Sequence, residues 1–262
     1  MANTLKYLFA LLAAFTWLNA DAFVTSAGKI ASAVVKPFIK HPQTLPDADI
    51  AYLAELGSKS GGTKEIGIFL GSRKLPDAVI EDAYLRIAVQ QSKIPEAEAA
   101  GMMTRLRGTP GFRSTLSKTV GASDIKTSGH LNELRIADKA AENGFTVRGI
   151  GSQFNDPNKA AATDIDVLLE RNGKIIAIEA KDYAPDTMIP MDKFRADMVS
   201  LNEYAKANSS SRVLQVFSMT NKPANDVSRR LLDKEAERRG VELIYGSPEE
   251  VVIQLKQLVQ LL

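Results

Sequence analysis

Cysteine is absent from the 262 residues, and histidine occurs only twice, as His41 and His130. The chain can form no disulfide and offers a metal no thiolate, so what ligands it has favour hard cations over zinc. The missing cysteine does not fix a compartment, because it suits an exported chain without disulfides and a cytoplasmic one equally. An excess of one charge is missing too. The formal net charge is +2 and the isoelectric point lies near 8.6, so the footprint of a bulk nucleic-acid binder is not there. A cleft enzyme does not need one. Local basic clusters remain at Arg105 and Arg107, at Arg113 and Lys118, and at Arg229, Arg230, Arg238 and Arg239, either as phosphate contacts or as solvated helix faces. Internal repeats are lacking, and residues 23–120 contain no cluster of catalytic residue types.

The apolar run Tyr7–Leu18 is short of the roughly 20 residues a spanning helix needs. Preceded by Lys6 and followed by Ala20-Asp21-Ala22, it has the layout of a secretory signal over residues 1–22. Phe23–Val35 continues fairly apolar, so membrane contact through residues 1–35 is the alternative to export, and a cytoplasmic location follows if the segment is not a signal. Residues 23–120 are expected to form a mostly helical domain. Helical patterns at Pro46–Leu56 and Pro76–Gln91 each open on a proline, and Gly57–Thr63 and Gly108–Gly111 break them. Gly121-Ala122-Ser123-Asp124 marks a linker into a domain over 121–262.

The richest stretch is 163–181, TDIDVLLERNGKIIAIEAK. Two β-branched, apolar segments flank Asn172-Gly173, a dipeptide suited to a two-residue type I′ turn. Counting outward from that turn sets Arg171 against Lys174, Asp166 against Glu179 and Asp164 against Lys181. Alternation then gives the four charged residues Asp164, Asp166, Glu179 and Lys181 one face, while Ile165, Val167, Ile176, Ile178 and Ala180 take the other. Two carboxylates facing each other across a ladder repel unless a cation or proton lies between them. A hard divalent ion, Mg²⁺ or Mn²⁺, fits such an oxygen-ligand set.

Around this hairpin the pattern alternates helix and strand, the mark of an α/β unit. A helix is expected from Gly129 to about Asn143, capped by Ser128 and stopped by Gly144. A strand Phe145–Ile150 precedes the hairpin. An amphipathic helix Asp192–Ala207 with Phe194, Met198 and Leu201 on one face follows it, then a strand Val213–Met219. Beyond these come a helix Ala224–Arg239, a strand Val241–Tyr245 and a last helix capped by Ser247 with Glu250 at the capping-box position.

Asp166 followed on the next strand by Glu179-Ala180-Lys181 resembles the PD-(D/E)XK nuclease superfamily, also called the restriction-endonuclease-like fold. The resemblance covers roughly the last 140 residues and implies an αβββαβ core, here with an extra C-terminal αβα. It also implies a metal-dependent endonuclease whose acids hold Mg²⁺ or Mn²⁺ and whose lysine assists the attacking water. Many members carry a further acid on the first core helix, and Glu133 is the matching residue. On spacing alone Glu133 suits either a ligand in a cleft or an exposed glutamate. Metal ligands would thus be Asp166, Glu179 and Glu133, with Asp164 as a competitor or as an ion-pair partner of Lys181. His130, Lys193 and Arg195 are secondary candidates for substrate contact. The proline often found before the acids in that superfamily is absent, since Thr163 precedes Asp164 and Ile165 precedes Asp166. The resemblance implies DNA as substrate, with RNA as the alternative. The signal-like start would make the protein an exported or contact-delivered toxin, which would need an immunity partner. A rival expectation is a non-catalytic module of the same fold that binds nucleic acid or protein at a membrane or envelope.

Overall fold

The computed structural model of the chain describes residues 31–40, 42, 45–59, 62–120, 124–157, 159, 162–209 and 211–261. The signal-like stretch 1–22, most of the 1–35 segment and His41 lie outside the described residues. None of the described helices is long and apolar enough to cross a membrane.

The chain divides into two compact units, residues 1–66 and residues 67–262. In the first, helix α1 (Asp47–Gly57) buries Ile50, Leu53 and Leu56. Pro46 immediately precedes it, where a missing backbone N–H costs nothing. Helix α2 (Gly62–Ser72) carries the division within its length. The second unit begins with α3 (Asp77–Gln90), α4 (Glu96–Leu106) and α5 (Phe112–Thr119). It continues as α6 (Asp124–Glu142), β1 (Thr146–Phe154), β2 (Thr163–Arg171), β3 (Lys174–Lys181), α7 (Met191–Ala207) and β4 (Val213–Met219). It ends with α8 (Asp226–Arg239), β5 (Glu242–Tyr245) and α9 (Pro248–Leu261).

The boundary expected near residue 121 therefore falls inside this second unit, and specific contacts tie its two sides. Arg105 of α4 forks onto the buried carboxylate of Asp138 in α6 at 2.8 and 2.6 Å. Arg135 of α6 reaches back to Glu98 at 2.7 Å, and the amide of Ile150 in β1 donates to the carbonyl of Pro110. Buried Phe112 and Leu116 of α5 belong to the same packed body as α6.

The five strands form one mixed sheet in the order β1-β2-β3-β4-β5. The first three are antiparallel, while β4 and β5 join in parallel through the crossover helices α7 and α8. Asn172 and Gly173 take φ of 52° and 73°, the left-handed pair a type I′ turn requires. On one side of the sheet, Phe194, Met198 and Leu201 of α7 and Leu232 and Ala236 of α8 pack on Leu168, Ala177 and Phe217. The alternate residues Val167, Leu169, Ile176 and Ile178 are also fully buried, and α6 packs on the first three strands, so both faces of the central strands are covered.

Helix ends follow local chemistry. Asn225 caps α8 through Val227 and Ser228, and Gly240 closes it in the left-handed region. Ser247 and Glu250 form the expected reciprocal capping box. Gly144 ends α6 as expected, but α6 starts at Asp124, so Ser128 lies within the helix and its hydroxyl is free to bond outside it. The chain is an α/β protein built on a five-stranded mixed sheet.

Candidate functional site

The register counted from the turn holds from Arg171–Lys174 up to Val167–Ile178, and the ladder stops there. One pair further out, the amide of Ala180 donates at 2.8 Å to the side-chain carboxylate of Asp166 rather than to a backbone carbonyl. Asp166 therefore ends the pairing of β2 with β3, while β3 stays paired with β4 as far as Lys181–Met219. The expected backbone pairs Asp166–Glu179 and Asp164–Lys181 are thus replaced by a fork between the two strands. Alternation fails at the same point: Ile165 and Leu168, three residues apart, both join the core cluster on the α7 side. This fork opens a cleft of about 480 Å³ at the sheet end where β2 begins and β3 finishes.

Four elements furnish the cleft. β2 and β3 bring Asp164, Asp166, Glu179 and Lys181, α6 brings His130 and Glu133, and α7 brings Lys193, Asp197 and Ser200. Glu133 and Glu179 are each only 7% exposed. Glu133 accepts from, or is paired with, His130 through Nδ1 at 3.0 Å. Lys181 Nζ donates to Glu179 and stands 3.9 Å from Asp166 and 3.5 Å from Asp197. Lys193 Nζ lies 3.2 and 3.1 Å from the two oxygens of Asp197. Beneath α7, Ser200 donates to the buried carboxylate of Asp156 at 3.0 Å. At the rim the Ser128 hydroxyl donates to Asp182.

The electrostatics follow from burial with too few cations. Six carboxylates line the cleft against three lysines and His130. Burial first, and then the charge of Glu179, hold the Asp166 carboxyl well above its ordinary value, with Lys181 opposing. Burial likewise pushes Glu179 up, against the pull of Lys181. For Lys181 burial favours the neutral amine, but Glu179, Asp166 and Asp197 together outweigh it and keep the ammonium charged.

Asp166, Glu179, Lys181, Glu133, His130 and Lys193, all expected from sequence, meet in this one cleft. Asp164 lines it too, but its carboxylate is half exposed and pairs with Lys118 at 3.9 Å instead of Lys181. Arg195 points elsewhere, pairing with Asp192 at 3.5 Å and Glu235 at 3.4 Å. Several of the basic clusters are likewise engaged internally: Arg113 with Asp77, Arg229 with Asp226, and Arg238 and Arg239 with Glu235. Asp197, Ser200 and Asp156 are not among the residues the sequence pattern singles out. The signal for Asp197 was a carboxylate one residue before Met198, at the edge of the apolar stripe of α7 and four residues after a lysine.

Among the described residues no group of three or more His, Cys, Asp or Glu side chains is arranged as a ready metal-ligand set. Glu179 and Glu133 are buried and the Asp166 side chain is 13% exposed, and the chemistry of these three oxygen donors, whose mutual repulsion Lys181 offsets only in part, is of the kind a hard divalent cation takes. Comparison with protein-family models, with curated proteins and with solved structures found no match to this chain.

Proposed function

We propose that the chain is a metal-dependent nuclease of the restriction-endonuclease-like kind, hydrolysing phosphodiester bonds of DNA, with RNA as the alternative substrate. The observation that carries this reading is the fork between β2 and β3, where Asp166, Glu179 and Lys181 gather in one cleft with an excess of carboxylate over cation. The element order from α6 to β4, helix, three strands, helix, strand, is the one that the resemblance implies.

In this reading Asp166, Glu179 and Glu133 hold Mg²⁺ or Mn²⁺, which when bound acidifies a water ligand and offsets charge on the phosphoryl oxygens. The carboxylates of Glu179, Asp166 and Asp197 favour the charged form of Lys181, and in this reading its ammonium donates to and stabilises the developing phosphorane. Lys193 is more than half exposed on the cleft wall and gives a scissile strand a phosphate contact that carries no sequence information. The amide of Ala180 orients Asp166, fixing one acid on a strand rather than on a loop. An export signal over residues 1–22 would make the enzyme a delivered toxin with an immunity partner.

The test is incubation of the full chain with supercoiled plasmid, linear DNA and tRNA, in Mg²⁺ or in EDTA, beside Lys181→Ala and Glu179→Gln. The expected result is metal-dependent cutting that both variants lose while keeping their fold. Cutting retained in both variants would refute it. A second reading, a non-catalytic binding module, draws on one observation: Glu179 already has an ion-pair partner in Lys181. It predicts nucleic-acid binding indifferent to EDTA, without cleavage.

A further inference from the structure

Lys181 has carboxylate partners on two different elements. Glu179 and Asp166 reach it from the strands, and Asp197 reaches it from α7 at 3.5 Å. Only the strand pair belongs to the metal-ligand set proposed above. A divalent ion that takes the oxygens of Asp166 and Glu179 has to compete with the ammonium already donating to Glu179. A buried ammonium released from one carboxylate without another acceptor would be left uncompensated, at a heavy desolvation cost. Asp197 removes that difficulty: it is 9% exposed, faces the same cleft, and is rooted on a helix whose Phe194, Met198 and Leu201 are locked in the core. Its other partner, Lys193, is a solvent-exposed side chain that can turn outward and leave Asp197 to Lys181.

We propose that Lys181 is the built-in counter-ion of the Asp166–Glu179 pair and that Asp197 is the acceptor that retains it when a divalent cation takes that pair. Asp197 is thereby a positioning residue for Lys181. The inference rests on the metal-dependent reading of the cleft. It goes further in making cation entry an exchange, in which the ion displaces a lysine from two carboxylates onto a third.

Calorimetric titration of the full chain with Mn²⁺ and with Mg²⁺ tests it, in four forms: the unaltered chain, Lys181→Met, Asp197→Asn, and the double variant. Thermal melts report whether each variant is folded. Removing the competing ammonium in Lys181→Met is expected to tighten binding by about tenfold. Asp197→Asn is expected to weaken it by about five- to tenfold in the unaltered background and by less than about twofold once Lys181 is gone, because its role runs through that lysine. An equal loss from Asp197→Asn in both backgrounds would mean that Asp197 acts on the metal directly, which overturns the exchange but keeps the metal site. Unchanged affinity in Lys181→Met also overturns it. Absence of any divalent binding to the unaltered chain overturns the metal-dependent reading itself, and the exchange with it.

Discussion

Replacing Lys181 by methionine keeps most of the side-chain volume and removes a charge whose surroundings are fully specified. The side chain is 16% exposed, contacts Glu179, and has Asp197 and Asp166 at 3.5 and 3.9 Å. Deleting one partner of a buried ion pair costs about 3–5 kcal/mol, and the residual exposure places this case near about 3 kcal/mol at neutral pH. In a unit the size of residues 67–262 that corresponds to a melting temperature lower by about 6–12 °C. The loss must also depend on pH. Asp166 and Glu179 are carboxyls whose folded values are raised above their ordinary ones, by burial first. Such groups stabilise the fold when protonated, and that contribution fades as pH rises through the raised folded values. Lys181 holds both down, so its removal moves them further up and lets the cluster discharge by taking protons. Destabilisation is therefore expected to be largest at pH 7.5 and to shrink markedly by pH 5, as read by thermal melts of both proteins at the two values. A variant as stable as the parent at pH 7.5, or an equal loss at both values, would refute this account of the cleft.

Three further outcomes are expected. Saturating Mg²⁺ should raise the melting temperature of the unaltered chain at pH 7.5, by the equivalent of about 2.7 kcal/mol at a hundredfold excess over Kd, and do far less at pH 5, where Asp166 and Glu179, raised above their ordinary values by burial, take up more protons; calorimetry at both values checks it. Gly111→Ala should cost more than about 2 kcal/mol in denaturant unfolding, because φ is +83° and the new Cβ would sit 1.8 Å from the Ile150 carbonyl, whereas Gly173→Ala at φ +73° meets nothing within 4 Å and should cost about 1 kcal/mol. Arg105→Met should cost about 3 kcal/mol by stranding the buried Asp138 carboxylate, and a neutral result would mean that α4 is not held to α6 by this fork.

Local chemistry made much of this protein legible in the sequence alone. Asn172-Gly173 determined the hairpin turn, since few residue pairs tolerate two left-handed conformations, and its register followed as far as Val167–Ile178. The stripe Phe194, Met198, Leu201 determined the buried face of α7, and Ser247 with Glu250 determined the start of α9, because helix period and capping act within a few residues. Spacing likewise singled out Asp166, Glu179 and Lys181 as neighbours. What only the tertiary structure decided depends on residues far apart in the chain. The fork at Asp166 arises because a side-chain carboxylate captures the Ala180 amide, a competition between side chain and backbone that no register count includes. Asp197 enters the cleft because α7 packs back across the sheet, bringing it within 3.5 Å of a lysine sixteen positions earlier in the sequence. The division at 66/67 replaces an apparent linker near 121 because Arg105, Arg135 and the Pro110 carbonyl find partners beyond it, and long-range ion pairs leave no periodic trace in a sequence.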